Sequence, residues 1–295
     1  MKNKGKVLIA HGRDTNPPYV KCDIPFEKEK RKGWSMKIIK INLNKERGEI
    51  VRDVTILPIA DVHIGDKLAN LKLLKEALLR IKNEPNTYTI INGDLCNMAL
   101  KNSKSDVYGD MMSPMEQVLM VTDLLEDIKD KILVLSTGNH EDRTLKETSI
   151  DVTRLIAREL GIEDRYADGW WYLYLTFGQD NHKRLIHYAI TGLHGYGGGR
   201  KSGAKINRLE DMSQTVIADL YLMSHTHKPI STKGCIYIPY YQNKTLTKQE
   251  MYYLMTNSFL ESDGGYAEKL GFAPSNTSLT EARLDGHKKK IKVII

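Results

Sequence analysis

The stretch "YLMSHTHKP", Tyr221 to Pro229, places two histidines one residue apart directly after an apolar run. Side chains two residues apart in a β-strand point to the same side. His225 and His227 are therefore expected to project together from the end of a buried strand. Such a pair arises by chance, or it is half of a metal site whose other ligands come from other strands.

Metal-type side chains also end four further apolar runs. The five strand ends, in chain order, are "ADVHIGD" with Asp61 and His63, "NGDLCN" with Asp94, "TGNHED" with Asn139 and His140, "GLHGYGGG" with His194, and "SHTHKP" with His225 and His227. Each alone has an ordinary explanation as a turn residue, a helix cap or a satisfied histidine. Five together indicate one shared site, because ligands in open α/β sheets bind just beyond the carboxyl ends of the strands.

The donor atoms of this set are oxygen and imidazole nitrogen, without thiolate. Such ligands suit Mn, Fe, Zn or Co and argue against a structural zinc clamp. Their number exceeds what one ion needs and fits two divalent ions that share a carboxylate. Asp61 and Asp94 would be costly to bury side by side as bare anions, and cations between them remove that penalty.

The body of the chain alternates strand and helix patterns. "LANLKLLKEALLRIKN" has its leucines at helical spacing, and "SPMEQVLMVTDLLEDIKDK" opens with a predicted capping box. The second half is richer in strands, with one helix around "AKINRLEDMSQTVI", and "HKKKIKVII" reads as a closing strand. This order predicts an α/β fold with a mainly parallel core and two packed sheets flanked by helices.

The formal net charge of +7 is concentrated at one end of the 295 residues. Residues 1–50 hold 13 Lys and Arg against 6 Asp and Glu, whereas the remainder holds 31 of each. The charge predicts a basic N-terminal extension with a first strand, residues 1–50, before a charge-balanced domain, residues 51–295. A basic arm of this kind can grip nucleic acid, and the alternative is a solvated leader.

Membrane and disulfide signals are missing from the sequence. The longest apolar runs are too short to cross a bilayer, and the four-residue run near the start is too short for a signal peptide. The three cysteines, Cys22, Cys96 and Cys235, lie far apart. We therefore expect a cytoplasmic protein with reduced thiols and no membrane partner.

Five linked motifs resemble those of the calcineurin-like metallophosphoesterases. They are D-V-H (61–63), G-D (93–94), G-N-H-E (138–141), H-G (194–195) and H-T-H (225–227), in the family's order. The resemblance covers roughly residues 51–230 and implies a four-layer α/β/β/α sandwich. "TNSFLESDGGYAEKLGFAPSNTSL", further along the chain, is more loosely similar to the tails of phage and prophage members.

The resemblance also implies a role for each site residue. One ion would be held by Asp61, His63 and His227, the other by Asn139, His194 and His225, with Asp94 bridging the two. His140 would be the catalytic residue and not a ligand, facing the leaving-group or phosphoryl oxygens. The two divalent ions, Mn before Fe, Zn or Co, would lower the pKa of a water so that a metal-bound hydroxide attacks phosphorus.

Two positions depart from the family pattern. Ser224 stands where a glycine usually precedes H-x-H. Asn97 stands where many members have an Asp that orients the histidine of G-N-H-E. We expect the Asn97 side chain to accept a hydrogen bond from His140, and to leave His140 with a lower pKa and weaker general-acid function than a carboxylate would.

Candidate substrate contacts follow two of the motifs. "GYGGGRKSGAK", residues 195–205, comes directly after His194, and its Arg200, Lys201 and Lys205 are placed to meet a phosphate or a polynucleotide backbone. Arg143, just after G-N-H-E, is a further candidate. The alternative for the loop is a plain flexible connection with solvated charges.

These observations predict a metal-dependent phosphoric ester hydrolase acting on a phosphate ester. The basic arm, the cationic loop and the D-x-H-x-G form favour a phosphodiesterase or nuclease acting on DNA or RNA. The alternatives are a phosphomonoesterase for protein or small-molecule substrates, and a metal-binding scaffold without turnover. The natural substrate, the metal used in the cell and the oligomeric state are left open by the sequence.

Overall fold

A computed structural model of the chain describes residues 36–101, 103, 108–198, 201–261 and 277–295. The predictions for residues 1–35 and for Arg200, and most of the segment compared with phage members, lie outside these residues. The strands are β1 (Lys37–Asn42), β2 (Asp53–Ile56), β3 (Thr87–Asn92), β4 (Ile132–Ser136), β5 (Tyr166–Ala167), β6 (Trp171–Gln179), β7 (Leu185–Leu193), β8 (Leu220–Met223), β9 (Ile230–Tyr240), β10 (Thr245–Met255), β11 (Glu281–Asp285) and β12 (Ile291–Ile294). The α-helices are α1 (Leu43–Arg47), α2 (Leu71–Asn83), α3 (Pro114–Glu126), α4 (Asn139–Thr148), α5 (Val152–Glu159) and α6 (Ser202–Asp211).

In the described residues the strands form two sheets of six. The first has the order β12-β11-β2-β3-β4-β5, and β2 to β5 run parallel to one another. The second has the order β1-β6-β7-β8-β10-β9, in which β7, β8 and β10 are parallel. The mainly parallel core and the closing strand β12 were both predicted from the sequence patterns, and both are confirmed.

Three clusters of buried apolar side chains show how the layers stack. Ile90 and Trp171 belong to the cluster between the two sheets. Leu78 of α2 and Ile156 of α5 pack with residues on the other face of the first sheet, and Leu209 of α6 packs on the second. The predicted four-layer α/β/β/α sandwich is therefore confirmed. Each fully buried aliphatic side chain, such as Ile90, stabilises it by roughly 1.5–3 kcal/mol.

The edge strand β1 shows the period-two pattern of a half-buried strand. It pairs in parallel with β6, from Lys37 opposite Trp171 to Asn42 opposite Thr176. Its residues Ile39 and Ile41 are buried between the sheets, whereas Ile38 faces solvent. The division of the chain at residue 50 stays a prediction.

The helix ends follow local capping rules where the sequence shows them. Helix α3 begins with the predicted capping box, in which Ser113 and Glu116 exchange side-chain and backbone hydrogen bonds. Helix α5 is followed by Gly161 in the left-handed region, at φ 72°, as expected for a helix C-terminus. None of the described helices is long and apolar enough to span a membrane.

Helices α1 and α4 were not predicted. Helix α4 carries the sequence NHEDRTLKET, and Glu141 and Thr144 are its buried residues. It therefore lacks the apolar stripe from which a helix is recognised. Its position matters because it begins at the G-N-H-E motif, directly after β4.

Candidate metal centre

Side chains from the ends of five strands meet at one place in the sandwich. Two groups of three residues offer ligand atoms that all lie within 4.8 Å of one another: Asp61, His63 and His227, and Asp94, His194 and His225. The Asn139 side chain lies beside the second group, with Oδ1 at 3.1 Å from His194 Nε2. The structure thus brings together the seven side chains that the sequence singled out as metal ligands.

The first group is built around Asp61, which is 0% exposed. Its Oδ1 lies 3.2 Å from His227 Nε2 and has no hydrogen-bond partner among the described residues. His227 Nε2 in turn lies 3.3 Å from His63 Nε2. A buried carboxylate oxygen without a hydrogen bond is unfavourable on its own, so a cation between these atoms would satisfy it.

The second group is oriented by a backbone contact. The Nδ1 atom of His194 lies 2.7 Å from the Asn92 carbonyl oxygen and donates to it. This contact leaves Nε2 facing Asp94 Oδ2, at 3.1 Å. A ring nitrogen held by a carbonyl in this way fixes the tautomer that ligands to metals need.

Asp94 lies between the two groups. Its Oδ2 is 3.1 Å from His194 Nε2 and 4.0 Å from His63 Nε2. The same oxygen is 3.9 Å from His140 Nε2, and Asp94 shares a third cluster with His63 and His140. This central position is the one that a bridging carboxylate requires.

His140 is held differently from the prediction. Its Nδ1 donates to the main-chain carbonyl of Asn97, at 2.7 Å. The Asn97 side chain points elsewhere and donates from Nδ2 to Asp110 Oδ1, at 2.5 Å. The expected contact with the Asn97 amide is therefore wrong: the main-chain carbonyl of Asn97 takes its place, and the side chain is turned toward Asp110.

The predicted substrate contacts differ in their exposure to solvent. The Arg143 guanidinium is half-buried, and its Nη1 donates to the Met98 carbonyl at 3.3 Å. Lys201 is exposed at the start of α6. Lys205 does not fit the prediction, because it is buried and its Nζ donates to the Thr226 carbonyl, at 3.0 Å. This contact holds the backbone of the loop that carries His225 and His227.

The backbone at the site is strained. Five of the seven predicted ligands adopt positive φ values between 52° and 71°, namely Asp61, His63, Asp94, His225 and His227. A left-handed backbone at a non-glycine residue costs about 1–2 kcal/mol. Such conformations persist where the surrounding structure imposes them, and they cluster at functional sites.

Two glycines allow the loops after β3 and β4 to touch. A Cβ added at Gly138 would lie 2.1 Å from Asp94 Oδ1. A Cβ added at Gly93, which has φ 85°, would lie 2.5 Å from the Gly138 Cα. The G-D and G-N-H-E motifs therefore need their glycines because the two loops approach within van der Waals contact.

Glu141 supports the site through backbone contacts, a role that was not predicted from the sequence. It is 2% exposed and its carboxylate accepts from three backbone N–H groups, those of Asp94, Cys96 and Gly138, at 2.9–3.0 Å. It ties the loop after β3 to the start of α4. The signal was present in the sequence, since Glu141 stands three residues after Gly138, where a capping glutamate is found.

Asn92 and Ser224 form a second hydrogen-bonded support of the site, which was not predicted from the sequence. The Asn92 side chain accepts from Trp171 Nε1 and Ser136 Oγ, both at 3.1 Å. It donates to the Leu193 carbonyl at 2.9 Å and to Ser224 Oγ at 2.8 Å. Ser224, which directly precedes the H-T-H motif, thus joins β8 to the end of β3 through its hydroxyl.

Burial and mutual charge set the ionisation of the cluster. Burial alone would raise the pKa values of Asp61 and Asp94, but the facing histidines, His227 for Asp61 and His194 for Asp94, hold both below their usual range. Burial lowers the pKa of His194, yet Asp94 outweighs it and raises the value to about 10. The carboxylates are therefore anionic and His194 is protonated when no cation is present.

Three further histidines of the cluster, His63, His140 and His225, are neutral at physiological pH. Burial is the largest cause that lowers the pKa of His63, of His140 and of His225. For His63 the neighbouring His140 acts in the same direction. Neutral imidazoles and ionised carboxylates are the forms that bind divalent cations, so the donor set fits such ions.

No protein-family model matches the chain and no curated protein matches it. Among solved structures, a predicted phosphoesterase from Streptococcus pneumoniae is 15% identical, with 83% of this chain and 90% of that chain covered and a TM-score of 0.35. Nuclease MPE from Pseudomonas putida is 16% identical, with 81% and 87% covered and a TM-score of 0.34. Vps29 from Chaetomium thermophilum is 13% identical, with 81% and 95% covered and a TM-score of 0.35. None of these similarities identifies a substrate or a reaction for this chain.

Proposed function

We propose that the chain is a metal-dependent phosphoric ester hydrolase of the calcineurin-like type. The observation that carries this proposal is the convergence of seven ligand-type side chains around Asp94, with a further histidine beside them. His140 has its Nδ1 engaged by a backbone carbonyl, and its Nε2 faces Asp94. A cluster built only to bind metal structurally would not need this additional imidazole.

The residues divide between two divalent ions. Asp61, His63 and His227 would hold one, Asn139, His194 and His225 the other, and Asp94 would contact both. When bound, such ions supply positive charge against phosphoryl oxygens and lower the pKa of water. Oxygen and imidazole donors without thiolate favour Mn, with Fe, Zn or Co as alternatives.

The chain's own residues supply orientation and a proton. His140 keeps its Nδ1–H on the Asn97 carbonyl in either charge state, so the proton it can give or take is the one at Nε2. That atom faces the site, where the neutral ring can accept a proton and the protonated ring can donate it to a phosphoryl or leaving oxygen. Arg143 and Lys201 are proposed as substrate contacts, together with Arg200.

The substrate class that we propose is a phosphodiester, in DNA or RNA. Three basic residues lie beside ligand-bearing loops of the site: Lys205 donates to the Thr226 carbonyl, Lys228 follows His227 in the chain, and Arg208 donates to the Tyr196 and Gly198 carbonyls. Burial and then the positive charges of Lys228 and Arg208 lower the pKa of Lys205. The basic segment of residues 1–50 adds positive charge for a polyanion.

The free thiols of Cys96 and Cys235 support placing the protein in the reducing cytoplasm.

The test compares two chromogenic substrates, bis-p-nitrophenyl phosphate and p-nitrophenyl phosphate, with Mn²⁺ added to chelator-treated protein. We expect turnover of the diester above that of the monoester. His140→Ala should lower turnover about 100-fold or more while bound metal, measured by elemental analysis, stays at the wild-type level. Asp94→Asn should lose metal and turnover together.

His182→Ala is the matched control, because His182 is an exposed histidine in the turn between β6 and β7. It should match wild type in both measurements. Faster turnover of the monoester would favour the phosphomonoesterase alternative. Bound metal without turnover of either substrate would leave only the scaffold.

A further inference from the structure

Asp110 precedes α3 and lies outside every motif of the metal site, yet it contacts the residue that orients His140. Its Oδ1 accepts from Asn97 Nδ2 at 2.5 Å. Its Oδ2 accepts from Gln117 Nε2 at 3.0 Å and from the Ala99 backbone N–H at 3.4 Å. Both oxygens of this half-buried carboxylate are therefore used to hold residues 97 and 99.

The segment between those two residues needs such support. Met98 has φ 46°, a left-handed conformation that is unfavourable for a non-glycine residue. Asp110 contacts the residue on either side of it, and the buried Gln117 accepts from the Met98 N–H at 2.9 Å. These contacts fix the direction of the Asn97 carbonyl, which is the acceptor for His140 Nδ1.

Asp110 is itself anchored to the loop that carries His63. Its backbone forms a bridge with Asp66, and the neighbouring Met111 N–H donates to the Gly65 carbonyl at 2.8 Å. Gln117 packs so tightly against Gly65 that an added Cβ there would lie 2.3 Å from Gln117 Nε2. The carboxylate therefore has a fixed position relative to the site.

We propose that Asp110 is the positioning residue for His140, setting the ring's orientation and keeping its proton on Nδ1 through the Asn97 carbonyl. The proposal rests on the proposed function, in which His140 serves the substrate through Nε2. A carbonyl in this position accepts only, so a correctly held Asn97 forces Nδ1–H and leaves Nε2 facing the site. When Asp110 is lost, the carbonyl turns and the ring can rotate or change tautomer.

The test exchanges the donor and the acceptor of the Asn97–Asp110 pair. Asn97→Asp alone places two carboxylates 2.5 Å apart, so they repel and the segment moves. Adding Asp110→Asn restores one donor and one acceptor, and the new amide still offers its oxygen to Gln117 Nε2. The set is completed by Asp110→Ala and by the control Asp123→Asn, an exposed residue of α3.

Two measurements report on His140 itself. Nitrogen-15 NMR of the imidazoles in chelator-treated protein at pH 8 should show His140 protonated at Nδ1 in wild type, in the double variant and in the control. Asn97→Asp and Asp110→Ala should show a mixture of tautomers. With Mn²⁺, kcat for the diester should fall about 10- to 100-fold in those two variants, with KM changed less than threefold, and should recover in the double variant.

A purely structural role would lower thermal stability in the single variants while leaving tautomer and kcat as in wild type, and that result would overturn the proposal. Failure of the double variant to recover either readout, in protein that is folded by circular dichroism, would overturn it as well. The NMR arm needs neither metal nor turnover. An inactive wild-type protein would therefore reject the proposed function and still leave the role of Asp110 measurable.

Discussion

At the scale of single residues, the two buried carboxylates decide the charge of the site before any cation binds. Asp94 and Asp61 raise the pKa of His194 to about 10 against the opposing effect of burial. Its imidazole therefore carries a proton at neutral pH, although it stands in a position where a ligand must be neutral. Binding of a cation has to displace that proton.

This competition predicts proton release on metal binding. At pH 8, where Glu141 with its pKa raised to about 7 is largely ionised, Mn²⁺ binding should release about one proton from His194. Because the proton is lost only on binding, affinity should rise about tenfold per pH unit between pH 7 and 9. Calorimetric titrations in buffers of different ionisation enthalpy measure the number released. Release of almost no protons, with an affinity that does not change with pH, would contradict a protonated His194.

The glycine of G-N-H-E gives a second prediction at the residue scale. Gly138→Ala places a methyl group 2.1 Å from Asp94 Oδ1, so the loops after β3 and β4 must separate. We expect loss of metal binding and a fall of about 3 kcal/mol in the free energy of unfolding, as strain and overpacking do in a tight core. Denaturant titration and elemental analysis check the two effects.

Gly203→Ala is the control for that substitution. Gly203 lies in α6, and an added Cβ would meet nothing within 4 Å. Since alanine favours a helix over glycine by roughly 1 kcal/mol, this variant should bind metal normally and unfold at a higher denaturant concentration. Equal loss of metal in both variants would mean that contact between the loops is not the cause.

At the scale of elements, α3 and α4 show how far a helix can be predicted from the capping residues in its sequence. Helix α3 was predicted because a capping box opens its sequence. Helix α4 was not predicted, since its sequence is polar and its buried surface is a glutamate and a threonine. Both helices nevertheless have a glutamate at the third position, Glu116 in α3 and Glu141 in α4. The two glutamates differ in burial, because Glu116 is exposed and Glu141 is buried.

Those two glutamates make a matched pair for a test. Glu141→Gln replaces a buried acceptor of three backbone N–H groups by an amide that turns a donor toward them, so we expect about 2–4 kcal/mol less stability. Glu116→Gln keeps an exposed capping residue and should leave the stability close to that of wild type. Chemical denaturation of both variants without metal measures the difference, and similar losses would show that Glu141 is an ordinary helix cap.

At the scale of the whole molecule, Asn92 joins the two sheets close to the site. It belongs to β3 of the first sheet, and it receives a hydrogen bond from Trp171 of β6 in the second, at 3.1 Å. It also reaches the ends of β7 and β8 through Leu193 and Ser224. Asn92 thus ties the strand ends that carry His194 and His225 to the end of β3 in the other sheet.

We therefore expect Asn92→Ala to weaken the whole fold. It leaves the Trp171 N–H and the Leu193 carbonyl without their partners inside the sandwich, and each buried unsatisfied group costs about 1–3 kcal/mol. A loss of about 3–5 kcal/mol in unfolding free energy should accompany weaker metal binding. Asn243→Ala, at an exposed turn between β9 and β10, should be neutral. A near-neutral Asn92→Ala would show that solvent replaces the amide.

The uneven charge distribution gives the last prediction for the whole molecule. If the basic N-terminal segment contacts a nucleic-acid backbone, neutralising part of it should make the salt dependence of DNA affinity shallower, by about 0.9 in logarithmic slope per lost contact. The variant changes four residues to glutamine: Lys28, Lys30, Arg31 and Lys32. Its control changes four exposed lysines of the described domain: Lys72, Lys75, Lys244 and Lys248. Equal slopes in the two variants would argue against an arm that grips DNA.

By itself the sequence determined the class of fold and the side chains that could form a metal site. Strand and helix periodicities are local, and the rule that parallel strands present their carboxyl ends at one edge makes five separated motifs into neighbours. The structure shows the sandwich and brings the seven side chains together, while their roles toward metal and substrate stay a proposal.

Only the tertiary structure decided how those side chains are held. Glu141, Asn92 and Asp110 act on groups that are distant in the chain, and long-range hydrogen bonds leave no periodic pattern in a sequence. The same limit explains the error at Asn97, whose carbonyl and not its amide meets His140. The Asp110 carboxylate, thirteen residues away, decides whether the carbonyl or the amide faces the imidazole. It does so by supporting the left-handed backbone of Met98, which local preference disfavours.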